Sequence, residues 1–95
     1  MNIVDRVNRR IAYWHEQGFH GPETYLKLAT DTELPAEIEE DDAGQLAGIE
    51  KNGMKSRRSR NQPPPYLKKG KYPVYPRYEF FTWIASQYRQ PAAAE

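Results

Sequence analysis

Prolines and glycines cut this chain of 95 residues into short pieces. The sharpest break is Pro63-Pro64-Pro65, a run that cannot be helical and sends the chain off in an extended conformation. Gly18, Pro22, Pro35, Gly48, Gly70 and Pro76 divide the remainder. A chain of this length builds one small core, which excludes a multidomain enzyme. Mean hydropathy is −0.96, yet seven Tyr, three Phe and two Trp supply enough large side chains to argue against full disorder.

Each piece carries its own periodicity. Ile3, Val7, Ile11 and Trp14 recur at helical spacing, so residues 2–17 read as an amphipathic helix stopped by Gly18. Pro22 suits the first turn of a second helix reaching about Thr30. Residues 34–38 read as an acidic connector. Residues 39–47 read as a short helix with acids at its N-terminus, where the helix dipole favours them. Gly48-Ile49-Glu50 makes a tight turn before a basic helix over residues 51–60. Tyr66-Leu67 and Tyr72 to Tyr75 read as a small hairpin around Lys68-Lys69-Gly70-Lys71, and residues 77–89 as a closing helix. Its apolar face carries Phe80, Phe81, Ile84 and Tyr88, with Trp83 alongside.

Charge is segregated along the chain. Residues 1–50 hold four Lys/Arg against eleven Asp/Glu, and residues 51–95 hold ten against two. From Asp31 to Glu50 there are eight acids and no base; from Lys51 to Arg77 there are nine bases and no acid. Such asymmetry points to a polyanion-binding segment beside an acidic one. Its plain alternative is two oppositely charged faces that attract each other.

The residues that follow one another here carry a resemblance. Asp42-Ala43-Gly44-Gln45-Leu46-Ala47-Gly48-Ile49, Ser56-Arg57-Arg58-Ser59-Arg60, Pro64-Pro65-Tyr66-Leu67-Lys68, Val74-Tyr75-Pro76-Arg77 and Phe80-Phe81-Thr82-Trp83-Ile84 occur in that order. The series resembles the small MerR-type winged-helix proteins of mobile elements, the excisionases and AlpA-like regulators, over about residues 38–89. The resemblance implies a mainly α fold with a small β-hairpin wing: a winged helix-turn-helix with an extra N-terminal helical segment. The expected layout is residues 1–37 as that segment, 38–89 as the DNA-binding domain and 90–95 as a disordered tail. It implies a recombination directionality factor that binds and bends attachment-site DNA, or a transcriptional regulator using the same contacts. Double-stranded DNA, further copies on DNA and a site-specific integrase are the partners it implies.

A DNA reader needs cations for phosphates and forked or amide side chains for base edges. Lys51, Asn52, Lys55, Arg57, Arg58 and Arg60 supply both kinds on one expected helix, with Asn52, Lys55 and Arg58 on one face. Lys68, Lys69, Lys71 and Arg77 are the expected wing contacts. Leu46, Ile49, Tyr66, Tyr75, Phe80, Trp83 and Ile84 are the expected core. Ile3, Val7, Ile11 and Trp14 form a stripe that either enlarges this core or docks on a neighbouring copy.

No catalytic machinery is visible. Arg10 and His15 stand at a spacing found in some small helical ribonucleases, but the chain lacks the long four-helix bundle such sites use. His15 and His20 straddle Gly18, which leaves a metal site without fixed geometry. Zero cysteines remove thiolate ligands and disulfides. The expectation is a non-enzymatic cytoplasmic protein with no cofactor, metal, small-molecule substrate or membrane span. A rival from another class is a protein-interaction module whose acidic residues 31–50 mimic DNA.

Overall fold

In the computed structural model, residues 2–88 are described, and they form five helices and a three-stranded antiparallel sheet. Helix α1 (Ile3–Glu16) is capped by Asn2, whose side-chain oxygen accepts from the Asp5 N–H at 2.9 Å. Helix α2 (Pro22–Ala29) begins on its proline, whose fixed φ suits a first turn. Strand β1 (Glu37–Glu39) leads into α3 (Glu40–Ala47), a tight turn and α4 (Lys51–Ser59). Strands β2 (Leu67–Lys69) and β3 (Tyr72–Pro76) form a hairpin, and α5 (Arg77–Ser86) closes the fold.

The sheet order is β1-β3-β2, so the hairpin gains a third strand from the segment expected to be a connector. Ile38 explains the difference. It is buried directly opposite Tyr75, while Glu37 and Glu39 flank it in the alternation of a half-buried strand. Pairing with β3 satisfies backbone groups that a loose connector would leave to water.

One core serves the described residues. Val7 of α1, Leu28 of α2, Leu34, Ile38, Ala43 of α3, Met54 of α4, Tyr75 of β3 and Phe80 and Phe81 of α5 belong to one buried cluster. Helix α5 packs mainly on α2, with Tyr25 stacked on Phe81 at 6.3 Å between centroids. The expected boundary at residue 37 therefore does not divide the packing. Ile3, Ile11 and Trp14 pack against the same cluster, and Val7 lies inside it. The stripe expected as an oligomer face is taken up by the fold, because a core this small needs the apolar area.

Among the other expected core residues, Tyr75 and Phe80 are buried, and Leu46, Ile49, Tyr66 and Ile84 pack partly buried against them. Trp83 is only half-buried, one face held by Phe80 and the Arg57 guanidinium at 6.4 and 5.9 Å. Helix α5 stops at Ser86, three residues short of the expected end; Arg89 and the tail 90–95 lie outside the described residues. No helix among the described residues is long and apolar enough to cross a membrane.

Candidate nucleic-acid interface

The α3–α4 pair is built on two glycines. Gly48 takes φ 72°, a left-handed conformation that side chains resist. The Ile49 and Gly48 N–H groups then close on the carbonyls of Gly44 and Gln45, ending α3 in a Schellman turn. Gly44 lets the next segment come close: a Cβ there would lie 2.9 Å from the Ile49 carbonyl oxygen and 3.2 Å from Met54 Cγ. Helix α4 ends on a second such turn, with Asn61 at φ 54° and the Gln62 N–H donating to the Arg57 carbonyl at 2.8 Å.

Met54 is the buried anchor of α4. Successive residues turn by about 100°, so Arg57 and Arg58 fall on either side of that anchor, Lys55 to one flank, and Asn52 and Ser59 nearly opposite. Lys51, Asn52, Lys55, Ser59 and Arg60 are exposed, whereas Arg57 and Arg58 are half-buried.

The two half-buried arginines have partners inside the protein. Arg58 forms a forked ion pair with Glu40, through Nε to Oε2 and Nη2 to Oε1 at 3.2 Å. The Tyr75 hydroxyl donates to the same carboxylate at 2.8 Å. Burial alone would raise the Glu40 carboxyl, but the bonds from Arg58 and Tyr75 outweigh it and hold the group below its ordinary range. Burial, and then the bond to Glu40, push the Tyr75 hydroxyl well above its ordinary value. Arg57 donates to the Pro63 carbonyl at 2.9 Å and lies over Trp83.

Arg58, expected to share the reading face with Asn52 and Lys55, therefore ties α4 to α3 and β3 instead. Arg77, expected on the wing, starts α5 and donates to the carbonyls of Leu34 at 2.7 Å and Ala29 at 3.2 Å. Those two contacts staple α5 to the end of α2 and the connector behind it. Lys51 and Lys69 meet Asp41 and Glu37 at 4.0 and 2.8 Å, in exposed pairs that bind weakly. Lys55, Arg60, Lys68 and Lys71 are exposed and have no ion-pair partner among the described residues.

The hairpin tip turns on Gly70 between Lys69 and Lys71, with Tyr72 and Leu67 exposed beside it. Tyr66 is half-buried and packs on Tyr75 at 6.1 Å between ring centroids. His15 and His20 stack at 5.0 Å on the surface, and no group of three or more metal-binding side chains converges among the described residues.

Sequence reading missed two acidic hubs. Glu40 lies eighteen residues before Arg58, a separation without periodic signal. Asp31, buried between α2 and β1, accepts from Arg10 Nε at 2.7 Å, Trp14 Nε1 at 2.9 Å and the Glu33 N–H at 3.0 Å. Its burial raises the carboxyl, and those three bonds together bring it below its ordinary range. The chain matches no protein-family model, no curated protein and no solved structure.

Proposed function

We propose that this protein is a winged helix-turn-helix DNA-binding protein of the excisionase and AlpA-like kind, with α4 as its reading helix and the β2–β3 hairpin as its wing. One observation carries the reading: Asn52 and Lys55 on α4, Arg60 at its C-terminal cap, and Lys68 and Lys71 on the hairpin, stand exposed and uncommitted while the neighbouring arginines hold the fold. Helix α4 has nine residues, about 13 Å of length, which suits the width of a major groove. Asn52 offers an amide for an adenine edge and Lys55 a donor for guanine. Lysines at the tip act as point charges on phosphates.

In this role the protein makes and breaks no covalent bond. As a recombination directionality factor, it occupies and bends attachment-site DNA so that an integrase excises the element; as a regulator, it occupies a promoter with the same contacts. Its place is then the cytoplasm, on the nucleoid. Fluorescence anisotropy against salt tests the reading. Four free cations and two weakly paired ones give a slope of log K on log salt of about −4 to −5. A slope shallower than about −1 overturns it. Footprints at an attachment site, with excision assays containing the integrase, separate the first role from the second.

A further inference from the structure

A cleft lies on α1, lined by none of the α3–α4 residues. Arg6, Arg9 and Arg10 line it together with Glu33, which lies between α2 and β1, around a volume of about 450 Å³. The three arginines and Tyr13 stand at i, i+3, i+4 and i+7, so they form one stripe beside the apolar one. Two of the guanidiniums are held in place. Arg6 Nη2 donates to the Glu33 carbonyl at 2.6 Å, and a carbonyl orients the group without neutralising it. Arg10 is bonded through Nε to buried Asp31 and lies 4.3 Å from the centroid of the Tyr13 ring. Arg9 is exposed and has no ion-pair partner among the described residues.

We propose that this cleft binds a phosphate group. Guanidiniums fixed in orientation match phosphate oxygens through paired N–H donors, which lysines cannot do. The volume falls in the range of small-ligand sites and exceeds what a single water-sized ion fills. Such a phosphate has two sources: the backbone of DNA flanking the segment under α4, which rests on the function proposed above, or a free phosphorylated molecule. The Glu33 carboxylate on the cleft wall opposes either one.

The test uses the full chain in two arms. In the first, Arg9→Gln and Arg6→Gln/Arg9→Gln are titrated with DNA across salt. Each phosphate deprived of its arginine makes the slope shallower by about 0.9, alike on specific and random DNA. In the second, pyrophosphate is titrated while the arginine Nε–H signals are followed by NMR. Arg6 and Arg9 signals should move together, and Glu33→Gln should tighten pyrophosphate binding several-fold. A shallower slope in the first arm assigns the DNA backbone. An unchanged slope with saturable pyrophosphate shifts assigns a free phosphorylated ligand. An unchanged slope with no saturable shift overturns the proposal. If the parent protein binds no DNA, the function proposed above fails, and the pyrophosphate arm still decides the cleft.

Discussion

Arg58→Ala separates a structural arginine from a reading one. The substitution leaves the Glu40 carboxylate facing the Tyr75 hydroxyl without its bonded counter-charge, only the charge of Lys55 remaining near. Side-chain exposures of 22% for Arg58 and 13% for Glu40 place the pair between two known limits. Exposed pairs contribute up to about 1 kcal/mol, and breaking a fully buried one costs about 3–5 kcal/mol. The intermediate position puts the cost at about 2 kcal/mol, which for a domain of this size lowers Tm by about 8–16 °C. Circular dichroism melts of the parent and variant at several pH values measure it. Glu40 titrates below its unfolded value, so its contribution is complete above that value, about 4.3, and disappears as pH falls through the lower folded one. The gap between parent and variant should therefore be full at pH 7 and close as the solution is acidified below about pH 4. Below the melt, the variant should keep its sequence preference on DNA. A variant that melts within 2 °C of the parent (~0.5 kcal/mol) yet loses sequence preference would refute the tie and restore Arg58 as a reader.

Other substitutions probe other links. Gly44→Ala should cost about 1–3 kcal/mol in urea melts, since its Cβ meets backbone at 2.9 Å; a neutral result would show that α3 and α4 have room to separate. Asn52→Ala and Lys55→Ala should each cost about 1–3 kcal/mol on specific DNA and relax sequence preference, while Lys68→Ala and Lys71→Ala should weaken all sequences alike. Equal losses on specific and random DNA for the α4 pair would remove α4 as the reader. Asp31→Asn should loosen α1, with a loss of about 2 kcal/mol read by melting and by Trp14 fluorescence, because Arg10 loses its buried counter-charge. Deleting residues 1–20 should unfold the protein, since Val7 lies in the core; a folded truncation that still binds a single site would return the stripe to an assembly role.

Local chemistry is what the sequence makes readable. The stripe Ile3, Val7, Ile11, Trp14 places α1 within a residue at each end, because a helix registers its own periodicity. Pro22 and Gly48 mark the start of α2 and the end of α3, because each acts on its own backbone. Strand β1 is not readable: three residues carry no period, and the strand exists only because β3 pairs with it. Arg58 escapes for a related reason. Helical arithmetic puts it near Lys55, but which of two adjacent arginines meets an acid depends on where α3 lies. Arg77 likewise reads as one more base in a basic run until its carbonyl partners are in place.

The segregated charges act as an internal adhesive, and this shapes what remains for a ligand. Among the described residues, three of the ion pairs join the acidic stretch to the basic one, through Arg58–Glu40, Lys51–Asp41 and Lys69–Glu37. Their strengths differ with burial. The first is held in a half-buried fork and cannot be exchanged without loss of structure. The other two are exposed, so their net worth is small and a nearby phosphate competes for the lysine on equal terms. Under the proposed function, acids set beside these cations lower the affinity for random polyanions without removing the cations from reach. Salt dependence exposes the exchange: with both exposed pairs intact four cations remain, a slope of about −3.6, and with both opened six engage, a slope of about −5.4. Under the proposed function, the acidic stretch belongs to the same surface as the basic one, as the element that sets how much charge is available to DNA.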